Sequence, residues 1–246
     1  MADWTIAQLE AHLESEMHHG KPGLSAAKKQ ALVRALRPDA RHWIPILAES
    51  PVPGAREVAA SLIGPLWHDS QELDAVVFRL AQDPHWEVRE WAAGPLVDRY
   101  LADAEGSWAL FCDWADHAPD EVKRALAVAI KSLAHSNHVS PDALLKIADR
   151  LVRFENDYLR KNLGPFAIGD GLLPLYPEPT LSHLARWARS QQWAARWNAA
   201  AAFTAKKAAP WIETAQDILA SLTGDQHPLV RRVAARVLKS AAPKNL

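Results

Sequence analysis

One turn-and-helix pattern recurs six times along the chain, and this repetition constrains the fold more than any other feature. In each copy a turn residue is followed by a basic residue and then by an Ala-rich apolar stretch. The basic residues are Arg56, Arg89, Lys123, Arg160, Arg196 and Arg231, spaced 33 to 37 residues apart. That period is the length of two short helices and their turns.

Segments between the copies, such as residues 73–80 and 144–151, also carry apolar residues at every third or fourth position, so each repeat contains two helices. A single pair cannot bury its apolar face alone and must stack on its neighbours. The sequence therefore predicts an all-α, HEAT-like helical-repeat solenoid of about six helix pairs with an N-terminal cap, curved around a concave binding face. It predicts no sheet, because alternating apolar and polar runs next to hairpin turns are missing.

Two stretches fit the period poorly. Residues 1–48 are predicted to form an N-terminal helical cap, and residues 49–246 the repeat array of one domain. Within the cap we expect a helix over residues 3–17, a loop over 18–24 and a helix over 25–36 that Ser25 caps. Residues 164–179 hold three of the ten glycines and four of the seventeen prolines, which predicts an early helix end followed by an ordered loop.

Composition excludes several classes of protein. A chain of 246 residues with 49% hydrophobic residues can bury a substantial core, yet no apolar run reaches the ~18 residues of a membrane span. Asp3 and Glu10 lie where a signal peptide would be basic and apolar, so we expect a cytoplasmic protein. The single Cys112 and the His18-His19 pair lack further ligands, and no G-x-x-x-x-G-K motif occurs. We therefore predict neither a metal nor a cofactor.

Charge is distributed unevenly although the net charge is only -1. Residues 121–246 contain 18 Lys and Arg against 10 Asp and Glu, whereas residues 1–120 contain 10 against 19. Basic charge gathered in one half indicates a polyanion partner. The alternative is an accidental distribution over solvated faces.

The position directly after each basic residue is occupied by Glu57, Glu90, Arg124, Lys161, Trp197 and Arg232. If the helices stack in register, these side chains form a stripe that is cationic from Arg124 onward, with one indole among the cations. Such a stripe suits a phosphate backbone, and the basic residues Lys123 and Arg160 are predicted to bind DNA with it. Salt bridges between adjacent repeats are the alternative use of these positions.

Trp86 and Glu90 stand four residues apart and so share one face of a helix. An indole beside a carboxylate suits a cationic substrate, because the ring face and the negative charge both attract it. The alternative is that Trp86 packs at the turn while Glu90 pairs with Arg124 or Arg56.

From about Ser50 onward the chain resembles the HEAT-repeat alkylpurine DNA glycosylases, the AlkD and AlkC group. The resemblance is carried by the repeat length, the H-W-x-x-x-E run at residues 85–90, the basic Arg124 one repeat later and L-R-K-N-L-G-P-F at residues 159–166. It implies a monomer that excises N3- or N7-alkylated purines from double-stranded DNA without a cofactor.

The same resemblance implies that Trp86 contacts the deoxyribose and the lesion, that Glu90 is the catalytic carboxylate and that Arg124 holds a phosphate. Phe166 or Trp197 would supply the second aromatic wall. Two other functions stay open. One is a HEAT scaffold that binds DNA or a protein without chemistry, and the other is a HEAT-repeat lyase or maturation factor that handles a bulky ligand.

Overall fold

The computed structural model describes residues 4–69, 72–136 and 139–241, and it confirms the predicted all-α helical-repeat fold. In chain order the helices are α1 (Ile6–Leu13), α2 (Ala26–Leu36), α3 (Ala40–Ala48), α4 (Pro53–Ile63), α5 (Glu72–Leu80), α6 (Trp86–Trp91), α7 (Ala93–Ala102), α8 (Ala104–His117), α9 (Asp120–Ala134), α10 (Pro141–Leu151), α11 (Asp157–Lys161), a π-helix (Asn162–Leu172), α12 (Leu173–Leu175), α13 (Pro177–Trp187), α14 (Trp193–Ala201), α15 (Gln216–Thr223) and α16 (Pro228–Ala241). Short 3-10 segments are Arg37–Asp39, Gly64–Asp69, Ala202–Thr204 and Lys206–Trp211. No helix in these ranges is long and apolar enough to cross a membrane.

A small hairpin forms where a loop was predicted, so the prediction of no sheet was wrong at this point. Strands β1 (Met17–His18) and β2 (Lys21–Pro22) pair antiparallel. His19 and Gly20, with φ of 51° and 76°, supply the left-handed backbone that a two-residue hairpin turn requires. Strands of two residues are too short to show an alternating pattern, and histidine is an uncommon first residue in such a turn.

The chain divides within α8 into two compact units, residues 1–108 and 109–246. In the first unit α4 is central and packs against α1, α2, α3, α6 and α7. Ala55, Val58 and Ala59 of α4 are fully buried, and the two alanines let neighbouring helices approach closely. The predicted cap, residues 1–48, belongs to this unit, and its boundary with the repeats stays a prediction.

The N-terminal helices show how local capping sets their ends. Ser25 caps α2 as predicted, accepting a hydrogen bond of 3.5 Å from the Lys28 backbone N–H. Thr5 and Gln8 form a reciprocal capping box at the start of α1. This helix ends at Leu13, earlier than predicted, because the chain then turns into the hairpin.

In the second unit α9 packs against α10, α11 and the π-helix, while α14 packs against α13, the π-helix and α16. The side chains of Val122, Leu126 and Ile130 on α9 are all buried. Small residues dominate α14, where Ala194 and Ala199 are fully buried. Alanine at these contacts brings neighbouring helices close together, as the repeat pattern predicted.

The glycine- and proline-rich stretch is helical, so the prediction of a loop there was wrong. Residues Asn162–Leu172 form a π-helix that continues α11 without a break. A Cβ on Gly169 would lie 2.0 Å from the backbone oxygen of Ala202, and one on Gly164 would lie 2.8 Å from Oδ1 of Asn198. These glycines therefore allow close helix packing instead of ending a helix.

The recurring arginine fixes the turn before its own helix and ties that turn to the next repeat. Nη1 of Arg56 donates to the carbonyls of residues 50 and 51 at 2.7 and 3.1 Å. Its Nε and Nη2 donate to the Asp83 carboxylate at 2.6 and 3.0 Å. Arg196 forms the same bidentate pair with Asp225, at 2.5 and 2.9 Å. Arg56 and Arg196, here called the ladder arginines, thus tie adjacent repeats together.

Candidate functional site

A cleft of about 380 Å³ lies in the first unit beside α6. One side is formed by α6 and the start of α4, and the other by the end of α1, the hairpin and the start of α2. Trp86 and Glu90, the two residues predicted to be catalytic, both line this cleft together with Trp91. The structure therefore brings the predicted indole and carboxylate to one concave surface, and their chemical roles remain a prediction.

The start of α6 is held rigidly by the preceding turn. Nη1 of Arg89 donates to the carbonyls of Asp83 and Pro84 at 2.6 and 3.1 Å, and the His85 backbone N–H donates to the Asp83 carboxylate at 2.9 Å. Trp86 is consequently the first residue of the helix, and its side chain is 59% exposed. The Trp86 indole is therefore accessible at the edge of the cleft that it lines.

Glu90 follows one helical turn after Trp86 and is exposed. Trp91 is half-buried, and the Lys29 ammonium lies 5.8 Å from its ring centroid. Two indoles and a carboxylate thus come from a single turn and a half of helix. Sequence reasoning missed Trp91, although it stands directly after Glu90.

The floor of the cleft is a buried ion pair. Nζ of Lys29 donates to Oε2 of Glu57 at 2.6 Å, and the two side chains are 11% and 4% exposed. Burial raises the pKa of Glu57 above its ordinary value, and the hydrogen bond and charge of Lys29 only partly oppose this. Glu57 stands directly after Arg56, which is the same repeat position that Glu90 occupies after Arg89. This shared position is the sequence feature that links Glu57 to the cleft.

The rim of the cleft carries further ionisable groups. Lys21 of the hairpin approaches Glu87 of α6, with Nζ and Oε1 3.9 Å apart. The imidazoles of His18 and His19 lie against each other with ring centroids 4.0 Å apart, and Glu14 completes this side. The hairpin that sequence reasoning read as a loop therefore supplies one wall of the cleft.

The lining is acidic and aromatic together. Its carboxylates are Glu14, Glu57, Glu87 and Glu90, against the two ammonium groups of Lys21 and Lys29. Indole faces attract cations, and a carboxylate in a partly desolvated cleft strengthens that attraction. The arrangement suits a ligand with delocalised positive charge. No cluster of His, Cys, Asp or Glu side chains suited to a metal ion occurs within the described residues.

Three of the cations predicted to bind DNA are buried in the second unit. Lys123 is 5% exposed with Nζ 3.7 Å from the Phe154 ring centroid, and burial lowers the pKa of Lys123. Arg124 is 7% exposed and lies 5.3 Å from the Tyr158 ring centroid. Their burial removes both from any surface that a phosphate could reach without rearrangement.

Arg160 is the third buried cation, at 3% exposure. Its guanidinium carbon lies 4.6 Å from the Trp193 ring centroid and 4.5 Å from that of Trp197. Desolvation lowers its pKa, and an arginine remains charged despite such a shift. Nη2 of Arg160 also donates to Oδ1 of Asp157 at 3.1 Å, so Arg160 is held by a carboxylate of its own turn and by two rings. DNA binding by Lys123 and Arg160 stays a prediction.

The other predicted DNA-binding residues differ in accessibility. Lys161 is exposed and pairs with Asp157 at 2.5 Å, and Arg232 is exposed on α16. Phe166 is half-buried beneath Nζ of Lys131, which lies 3.6 Å from its ring centroid. Trp197 is half-buried against Arg160. Of the predicted cations, only Lys161 and Arg232 present charge at the described surface.

Comparison with known proteins adds little. No protein-family model matches the chain, and no curated protein matches it. Among solved structures it is similar to a designed armadillo repeat protein, YIII(Dq)4CqI, with a TM-score of 0.33 and 18% identity over 80% of this chain and 98% of that one. At this TM-score and identity the similarity indicates no function for this chain.

Proposed function

We propose that this helical-repeat protein binds double-stranded DNA and excises N3- or N7-alkylated purines. One observation carries the proposal: exposed Trp86 and exposed Glu90, one turn apart on α6, line the same acidic and aromatic cleft. An alkylated purine is a flat cation, and such a cleft attracts flat cations. The resemblance of residues 85–90 to the alkylpurine glycosylases supports the same assignment.

The protein does not need to protonate the leaving base, because alkylation has already placed a positive charge on it. The bond between C1′ and the purine nitrogen breaks, its electron pair leaves with the purine, and the purine departs neutral. The sugar becomes an oxocarbenium-like cation, which the Glu90 carboxylate stabilises. Water then bonds to C1′ and gives its proton to that carboxylate, as general-base catalysis requires. Trp86 provides a face for the sugar and the lesion.

Release of free base from an alkylated duplex tests this proposal. We expect the wild-type protein to liberate N7-methylguanine or N3-methyladenine and to leave unmodified duplex intact. Glu90→Gln keeps the shape of the side chain but loses the charge, so we expect it to bind the duplex and to release base at least about 100-fold more slowly. Glu105→Gln removes an exposed carboxylate of the same unit that does not line the cleft, and it serves as the matched control. Equal release by wild type and Glu90→Gln would refute the assignment.

A scaffold without chemistry is the second candidate, and the burial of Lys123, Arg124 and Arg160 favours it. These cations were expected to follow a DNA backbone, and their charge instead lies within the second unit. In this case the cleft would hold a cationic group of a partner without breaking a bond. Binding of alkylated duplex with no base release under any condition would select this candidate.

A further inference from the structure

We propose that the exposed face of α16 binds the phosphate backbone of duplex DNA, an assignment that rests on the proposed function. Arg232, Arg236 and Lys239 are all exposed on this helix. Residues four and three positions apart lie on one face of an α-helix, so the three cations form a single row, here called the basic ridge. Only Arg232 among them belongs to the stripe expected from the repeats.

The charge of the basic ridge is not balanced within the described structure. Arg232, Arg236 and Lys239 form no ion pair with any residue of the described ranges, whereas exposed Lys161 pairs with Asp157. The sequence from residue 226 to 246 has five basic residues and no acidic one. Like charges in a row repel one another, and a polyanion relieves that repulsion while releasing its counterions.

The spacing of the ridge matches a repeated anion. With a rise of about 1.5 Å per residue, the row from Arg232 to Lys239 extends over roughly 10 Å. A duplex strand rises about 3.4 Å per nucleotide along the duplex axis, so a row aligned with that axis covers the rise of about three nucleotides. A single small anion cannot contact both ends of such a row. The opposite face of α16 is buried through Val230, Val233 and Val237, and this packing fixes the helix that carries the row.

Arg231 is a fourth exposed cation on the same helix. Its Nη1 donates to the carbonyls of Asp225 and Gln226 at 2.6 and 2.9 Å, as in the earlier repeats. In Arg196 the remaining donors bind the aspartate of the following repeat, but Arg231 meets no carboxylate in the described part of the chain. Those donors are therefore available to a phosphate.

Trp197 is the aromatic member of the repeat stripe, and its half-buried ring lies 4.5 Å from the guanidinium carbon of Arg160. Trp197 of α14 stands at the repeat position equivalent to Arg232, and α14 packs against α16. Cations that contact only phosphates hold a duplex without reading its sequence. The ridge should accordingly bind alkylated and unmodified duplex alike.

Fluorescence anisotropy with a labelled, unmodified duplex, measured over a series of salt concentrations, tests the ridge. We expect replacement of Arg232, Arg236 and Lys239 by alanine to lower the slope of log affinity against log salt by about 2.7, or about 0.9 for each lost contact. A fourfold rise in salt then weakens the wild type by roughly 40-fold more than it weakens this triple variant. Unchanged affinity and slope in the triple variant would overturn the proposal.

A second triple variant controls for net charge. Lys146 of α10, Arg186 of α13 and Arg189 directly after α13 are exposed cations, and the first two pair with Asp142 and Asp149. Their replacement by alanine removes the same charge and the same residue types as the ridge variant. We expect this variant to bind duplex as the wild type does. Equal loss in both variants would mean that net charge alone acts, and it would reject the ridge. Binding to vesicles rich in phosphatidylserine without binding to duplex would also reject it.

Base release, measured in parallel, separates this proposal from the enzymatic one. Loss of duplex binding in the ridge variant, with no base release even by wild type, would leave the ridge standing and refute the glycosylase. Base release by the wild type with unchanged duplex binding in the ridge variant would refute the ridge and leave the glycosylase standing.

Discussion

Glu57 lies at the floor of the cleft with a raised pKa even though the Lys29 ammonium is 2.6 Å away. Removing the carboxylate from water costs more than the adjacent cation returns, as is common for buried ion pairs. The pair nevertheless fixes α2 against α4, because loss of either partner would leave the other charge buried alone. The cleft therefore has a rigid floor below the exposed side chains of α6.

Glu57 should make stability depend on pH. A raised pKa means that the folded protein holds this proton more tightly than the unfolded chain, so stability falls as pH rises from the ordinary value of 4.5 through the folded pKa. We expect Glu57→Gln to remove that fall. Urea unfolding at several pH values within this window checks it, with Glu105→Gln expected to behave as wild type. If the free energy of unfolding changed with pH in the same way for wild type and Glu57→Gln, the titration of Glu57 would not be the cause of the fall.

The π-helix shows, at the scale of one element, how glycine can serve packing instead of a turn. Gly169 allows Ala202 to approach so closely that a methyl group has no room, and the obstacle is backbone. We expect Gly169→Ala to destabilise the protein by about 1–3 kcal/mol, as overpacked cores are.

Gly224, at the end of α15, has no atom within 4 Å of the position that a Cβ would take. We therefore expect Gly224→Ala to leave the free energy of unfolding unchanged or to raise it by up to about 1 kcal/mol. Urea unfolding of both variants compares them directly. If Gly224→Ala lowered the free energy of unfolding as much as Gly169→Ala does, the need for glycine at residue 169 would come from backbone conformation and not from the close approach of Ala202.

The ladder arginines couple one helix pair to the next. The hydrogen bond from Arg196 holds the pKa of Asp225 below its ordinary value of 3.8. A lowered pKa adds stability at pH values above 3.8, and this contribution disappears as pH falls through the folded pKa. Lysine keeps the charge but lacks the forked geometry that binds both carboxylate oxygens.

We therefore expect Arg196→Lys to destabilise the protein by about 1.5–3 kcal/mol at neutral pH, the range for hydrogen bonds to charged groups. The loss should shrink in acid as Asp225 becomes protonated. Arg189→Lys, at an exposed arginine without an ion pair among the described residues, is the control for thermal or urea unfolding. If Arg196→Lys lowered the free energy of unfolding by the same amount at neutral and at acid pH, the lost interaction would not be the one with the Asp225 carboxylate.

For the molecule as a whole, the sequence predicts repetition well and exceptions poorly. The period of the basic residues is enough to predict helix pairs, and a spacing of four is enough to predict that Trp86 and Glu90 share a surface. It cannot distinguish an arginine that faces a ligand from one that fixes a turn, because both need the same residue at the same place. Lys123 and Arg160 illustrate this, since both were predicted to bind DNA and both are buried against aromatic rings.

The remaining differences arise from contacts between segments distant in sequence. Gly164 and Gly169 break helices in isolation, but in this chain they allow α14 and the segment after it to pack against the π-helix. Lys29 and Glu57 are separated by 28 residues, and their pairing appears only once α2 packs on α4. The hairpin wall of the cleft likewise depends on two left-handed residues that carry little sequence signal.

The single-turnover rate of base release from an N7-methylguanine duplex, compared between wild type and Glu90→Gln, tests the central claim most directly. Because the carboxylate stabilises charge that develops at the sugar, we predict a fall of at least about 100-fold in the variant, at saturating protein. Equal rates in the two proteins, or no release by wild type above the spontaneous rate, would contradict the account.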